Sequence, residues 1–244
     1  MNKQPYIFKK QIVSLCFVAI LFLIPECKIF REELLMIFLA LLSIAFSPLI
    51  YKLIKMPIWL HSCIYYFPMY IAACFVRGKL FRVDFKSVVS YIIAIILISF
   101  ILLWNRMEYI EAIHGFYSNI SMRPLEFANK MFSNILALVS EEIFFRMYLV
   151  NRLAGKVGIC GVLISSLAFL IAHYLNRWAN KMFNLKKYAS VFLLGIILSI
   201  VYYISNSIIP CIILHLLYNS SDFIQLIKKL VIKKADSELL FDDY

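Results

Sequence analysis

Polar residues along this 244-residue chain fall in clusters separated by long apolar runs. The runs cover about 11–25, 34–51, 58–76, 87–104, 131–151, 157–175, 189–205 and 207–227. Most approach the roughly 20 residues a helix needs to cross a bilayer core. Backbone facing lipid must satisfy its own peptide groups, so each run predicts a helix. The pattern thus predicts an all-α, polytopic membrane bundle of about eight transmembrane helices. The stretch 105–130 breaks the rhythm with Asn105, Arg106, Glu108, Glu111, His114, Gly115, Asn119, Arg123 and Pro124. It reads as a connection holding one interfacial helix. Residues 1–130 then form an N-terminal scaffold with that connection. Residues 131–227 form the region bearing the chemistry, and 228–244 a charged tail.

Composition agrees. The chain is 63% hydrophobic and 16% charged, with a mean hydropathy of +0.85, whereas soluble domains are about 25% charged. The formal net charge of +11 first suggests nucleic acid. The basic residues, however, lie between apolar runs: Lys9, Lys10, Lys52, Lys55, Arg77, Lys79, Arg82, Lys186, Lys187, Lys228 and Lys229. That distribution suits loops beside anionic headgroups, and no basic patch is interleaved with aromatics as a nucleic-acid site requires. The six cysteines (16, 27, 63, 74, 160 and 211) include no Cys-x-x-Cys pair and read as small apolar residues. Lys3, Lys9 and Lys10 precede the first run with no small-x-small cleavage site after it, so the first helix is expected to be uncleaved. Lys/Arg placement favours both termini in the cytoplasm, with the loop 77–86 in disagreement. Trp59, Trp104 and Trp178 sit near run ends, as in interfacial aromatic belts.

The most informative asymmetry is where charge enters the apolar runs. The first four cores hold no Lys, Arg, Asp or Glu, whereas later ones hold Glu141, Glu142 and Arg146, then His173, then His215, Asn219 and Asp222. An ionisable group at the bilayer centre costs on the order of 2.5–3.5 kcal/mol on insertion scales, and such groups mark function. On a helix Glu142 and Arg146 are i, i+4 neighbours able to pair, and Glu141 is rotated by about 100° from Glu142. One carboxylate is then neutralised while the other points elsewhere. His215 and Asn219 share one helix face. Plainer readings exist for each part: a structural ion pair, a packing histidine, interhelical hydrogen bonds, and for Asp222 a solvated charge. His61 and His114 read as ordinary interfacial residues.

Taken together, Glu141, Glu142 and Arg146, then Phe169 with His173, then His215 with Asn219, on three successive helices, resemble the motifs of the CPBP intramembrane proteases. These are the type II CAAX prenyl endopeptidases and their bacterial relatives, also called the Abi family. The stretch from Phe192 and Gly195 through Ser207 and Pro210 to His215 looks like the same family's third motif region. The resemblance covers about 130–222. It implies a metal-independent glutamic endopeptidase without cofactor, in which Glu141 activates a water with help from His173. His215 and Asn219 hold the oxyanion, Glu142 and Arg146 support the site, and Phe169 packs beside it. The implied partners are the lipid bilayer and a peptide or membrane-protein substrate, as in peptide maturation or bacteriocin-related processing in a bacterial cell membrane. Three other readings stay open. One is a zinc protease using one Glu and two His, although His-Glu-x-x-His is missing and Arg146 would oppose the cation. Another is a non-catalytic immunity or partner protein of the same fold, and the third a transporter or proton relay.

Overall fold

The structure is a computed structural model that describes residues 5–54, 56–76, 83–115, 120–176 and 183–239. Among these no β-strand occurs. Helix α1 (Pro5–Leu23) and a 3₁₀ turn (Pro25–Phe30) lead into α2 (Arg31–Ile54). Helix α3 (Ile58–Ile71) tightens into a 3₁₀ turn (Ala72–Phe75) just after its internal Pro68. Helix α4 (Phe85–Trp104) starts at Asp84, whose side chain accepts from the Ser87 N–H at 2.8 Å. That bond satisfies one of the donors a helix start leaves open.

The connection expected to hold one helix does so, as α5 (Arg106–His114). Helix α6 (Pro124–Glu142) starts with proline at a first-turn position, where its missing N–H costs nothing. It runs on through a π-helical segment (Ile143–Val150) into α7 (Asn151–Val157). Helix α8 (Cys160–Leu175) follows the positive-φ Gly158. Helix α9 (Leu185–Ser205) is capped by Asn184, which accepts from the Lys187 N–H, and ends at Asn206 in the left-handed region that asparagine tolerates.

The all-α membrane bundle expected from the pattern is what forms, but its helices are less even than eight equal spans. By length and composition, α4 and α9 are the described helices long and apolar enough to cross a membrane. The segments Gln11–Leu23 and Pro25–Phe46 meet that test only as a pair, bent by 103°. Helices α8 and α10 are apolar but shorter. The last run, read as one helix over 207–227, is two: α10 (Ile208–Tyr218) and α11 (Ser220–Leu239). The break falls on Asn219, Ser220, Ser221 and Asp222, whose short polar side chains compete with helical backbone bonds. Ser220 Oγ indeed donates to the Leu217 carbonyl at 2.6 Å. Residues 228–239 of the expected tail continue α11.

Residues 77–82 of the discordant loop, together with Trp178, Lys55 and residues 240–244, lie outside the described residues. So do residues 1–4.

Helix α9 packs against α8 and α4, and α3 against α6 and α2. Small residues let these backbones approach, as membrane helix contacts require. A Cβ on Gly161 would sit 2.8 Å from the backbone of Leu153 and Ala154, so only glycine fits the α7–α8 corner. Ile98, Leu149, Leu198 and Cys211 are fully buried between the helices.

Candidate active site

Glu141 and Glu142 end α6, and Arg146 lies one turn on, in the π-helical segment. Such segments recur at functional positions because the widened turn re-aims side chains and frees carbonyls. Here the Phe145 carbonyl accepts from Ser165 Oγ of α8 at 2.5 Å. The segment is thereby tied to the helix carrying Phe169 and His173.

Glu142 and Arg146 are fully buried, and Arg146 Nη1 lies 3.1 Å from Glu142 Oε1. This is the i, i+4 pair expected from spacing. The guanidinium carbon also stands 4.3 Å from the centre of the Phe169 ring, so Phe169 does more than pack: its face stabilises the buried cation. The same ring meets His173 at 4.4 Å and, edge on, His215 at 5.9 Å between centroids. Gly195 of α9 makes room for it, since a Cβ there would come within 3.3 Å of Phe169 Cδ1.

Glu142 Oε1 has a second partner. His215 Nδ1–H donates to it at 2.7 Å, a contact between α6 and α10 that linear spacing does not reveal. Glu142 therefore orients a histidine as well as pairing with Arg146. Glu141 points the other way, as its rotation predicts. Its Oε2 stands 3.9 Å from His173 Nε2 and 4.0 Å from His215 Nε2. Both distances exceed a hydrogen bond, and a polar separation of this size is one a water can bridge. His173 Nδ1 lies 3.0 Å from the Phe169 carbonyl. A carbonyl only accepts, so Nδ1 carries a proton and, in the neutral ring, Nε2 presents its lone pair toward Glu141.

Glu141 and His173 line a cavity together with Phe145, Ala172 and residues from the first half of the chain, Ile44 of α2 and Tyr65, Tyr66 and Met69 of α3. The N-terminal half is thus not scaffold alone. Asn176, one turn beyond His173, completes the lining. Its signal was available, since it is polar and shares the His173 face. The tyrosines gave none, because aromatic residues in an apolar helix read as lipid-facing.

Among the described residues Asn219 meets the cluster through its backbone. It caps α10, its N–H donating to the His215 carbonyl at 3.0 Å, and no contact of its side chain with Glu141, His173 or His215 is seen among the described residues. Asp222 is exposed in the first turn of α11, where a helix start favours negative charge. Ser140 Oγ lies 2.7 and 2.8 Å from the Leu136 and Ala137 carbonyls of its own helix, turned away from a nucleophile's role. His61 and His114 stand apart from the cluster, and no group of three or more His, Cys, Asp or Glu is arranged to hold a metal ion among the described residues.

A fully buried glutamate–arginine pair, a histidine locked to it and a second glutamate facing a cavity define a polar, chemistry-bearing site inside a helical membrane protein. Residues 124–221 match the family model described as Rce1-like: Type II CAAX prenyl endopeptidase Rce1-like. The match runs from the start of α6 to the first turn of α11 and takes in Glu141, Glu142, Arg146, Phe169, His173, His215 and Asn219. No curated protein and no solved structure matches the chain.

Proposed function

We propose that this protein is an intramembrane glutamic endopeptidase that hydrolyses a peptide bond in a membrane-associated protein or peptide. The observation that carries the reading is the stand-off of Glu141 Oε2 from two imidazole nitrogens, at 3.9 and 4.0 Å. A water bound among these three groups donates to Glu141 and to His173 Nε2. As its oxygen attacks the carbonyl carbon, its proton passes to Glu141. The tetrahedral intermediate then collapses: the C–N bond breaks, the proton held by Glu141 goes to the leaving nitrogen, and a carboxylic acid and an amine result. A positioned base of this kind contributes roughly 10²–10⁴-fold.

The oxyanion needs donors. His215 uses Nδ1–H on Glu142, so it can donate from Nε2 as well only as an imidazolium. Asn219, one turn along from His215, supplies the other donor when substrate orders its side chain. Catalytic contacts are often loose before substrate binds.

The family description names CAAX prenyl substrates. For this chain we infer processing of a membrane-associated peptide, as in peptide maturation or bacteriocin-related processing, with both termini in the cytoplasm. The test is Glu141→Ala in cells. Processing is expected to be abolished while the protein still accumulates in the membrane. Full activity in that variant would sink the reading. Loss of wild-type activity on exhaustive chelation would instead favour the zinc mechanism.

A further inference from the structure

The helix break at Asn219 is held by α5. Two successive residues of that helix reach the residues on either side of Asn219. Tyr109 Oη lies 2.6 Å from Ser220 Oγ. A hydroxyl has one proton to donate, and Ser220 directs its own to the Leu217 carbonyl at 2.6 Å. Tyr109 O–H is therefore the donor to Ser220. The chain of bonds from Tyr109 through Ser220 to Leu217 spans Asn219, and linked hydrogen bonds strengthen one another. Glu108 acts on the other side. Its Oε2 accepts from Lys187 Nζ at 2.5 Å, and that ammonium stands 5.0 Å from the centre of the buried Tyr218 ring. The Asn219 backbone is bonded in both directions: its N–H donates to the His215 carbonyl at 3.0 Å, and its carbonyl accepts from the Asp222 N–H at 3.1 Å. Helix α5 is itself anchored where it starts. Asn105 Nδ2 donates to Ser190 Oγ of α9 at 2.9 Å, and Lys186 Nζ of α9 donates to the Trp104 carbonyl.

We propose that Tyr109 is a positioning residue: through Ser220 it fixes the turn that carries Asn219, and so sets where the Asn219 carboxamide meets the oxyanion. Glu108 and Lys187 hold the Tyr218 side of the same turn. This rests on the protease reading above, with Asn219 as the second oxyanion donor. It adds that the rate of hydrolysis depends on α5, which lies outside residues 124–221. Tyr109 touches no reacting atom and acts through Asn219. Oxyanion stabilisation relies on donors already in place, and a misplacement of about 1 Å costs on the order of 10²-fold.

The experiment uses the full-length protein in phosphatidylethanolamine–phosphatidylglycerol liposomes. Its probe is a mixture of synthetic apolar peptides randomised at every position, with cleavage read by mass spectrometry. Values of kcat and KM are then measured on the best peptide and normalised to folded protein. Asn219→Ala is expected to lower kcat on the order of 10²-fold. Tyr109→Phe, which removes only a hydroxyl and preserves the ring, should lower kcat by roughly three- to tenfold, the scale of one net hydrogen bond, with KM unchanged. Ser220→Ala should do the same, and the two together should lose no more than either alone. The deciding arm adds Tyr109→Phe to Asn219→Ala. A residue that acts through Asn219 causes no further loss once that side chain is gone. A loss that multiplies in that background, or wild-type kcat in both Tyr109→Phe and Ser220→Ala, would overturn the proposal while leaving the protease reading standing. So would an Asn219→Ala protein that turns over at the wild-type rate. A wild-type protein that cleaves no more than Glu141→Ala would overturn both.

Discussion

Two carboxylates inside the bundle, Glu33 and Glu141, face opposite fates. Glu33, at the start of α2, is 1% exposed and saturated: Lys156 Nζ lies 2.7 and 2.6 Å from its two oxygens, and Arg152 Nε 3.3 Å from one of them. Arg152 also pairs with Glu32, and Lys156 donates to the Ile29 carbonyl at 2.5 Å. This knot ties the start of α2 to α7. Glu141 is also inside the bundle, yet the cations and imidazoles around it stand off, and it faces a cavity. Glu142 is intermediate: Arg146 and His215 hold its Oε1, while its Oε2 is buried without a hydrogen-bond partner among the described residues, and it does not line the cavity. Burial of an acid alone therefore says little. What distinguishes a structural carboxylate from a reactive one is whether an unoccupied oxygen faces a cavity.

That contrast can be broken or sharpened by substitution. The largest effect on folding is expected for Arg146→Ala. It takes the cation from the fully buried Glu142, which keeps the His215 hydrogen bond, a loss of about 3 kcal/mol at the low end for removing one partner of a buried pair. Membrane abundance by immunoblot and melting in detergent should both fall. If abundance and melting hold, the pair is not what stabilises this region. His215→Ala should come next. It removes the proposed oxyanion donor, a group worth on the order of 10²–10³-fold in kcat, with peptide hydrolysis as the readout and a milder loss of melting temperature. Near-normal kcat would remove His215 from the chemistry.

Glu33→Gln should cost roughly 1–3 kcal/mol, below the full buried-pair penalty, because Arg152 and Lys156 are 33% and 21% exposed and can turn to water. Hydrolysis per folded molecule should be unchanged. A selective loss of kcat would erase the distinction drawn here. Smallest is Lys130→Ala. Its pair with Glu126 is exposed on both sides, so water and salt screen it and little stability depends on it. A large drop in melting would show that the start of α6 is held differently.

The sequence makes the reactive cluster legible for a simple reason. Charge inside an apolar run is costly, so Glu141, Glu142, Arg146, His173 and His215 stand out from their surroundings. Helical periodicity then separates Glu141 from the Glu142–Arg146 pair correctly. Other features depend on what arrives from elsewhere in the chain. Glu33 sits among loop-like polar residues, and its burial appears only once Arg152 and Lys156 are brought to it. The π-helical segment depends on Ser165 meeting the Phe145 carbonyl. Tyr65 and Tyr66 look like lipid-facing aromatics until α3 packs on α6. The break at Asn219 was written in four consecutive polar residues, but the apolar run on its N-terminal side masked it.

The central claim is that Glu141 is the carboxylate left open for water, whereas Glu33 is closed by its cations. The most direct measurement is kcat for Glu141→Gln and Glu33→Gln side by side in the same liposomes, each normalised to folded protein. The account predicts that Glu141→Gln loses on the order of 10²–10⁴ in kcat with its melting temperature unchanged, and that Glu33→Gln melts earlier but turns over at the wild-type rate. A Glu141→Gln protein that keeps its kcat, or one that loses it only in proportion to a loss of folded protein, would contradict the account.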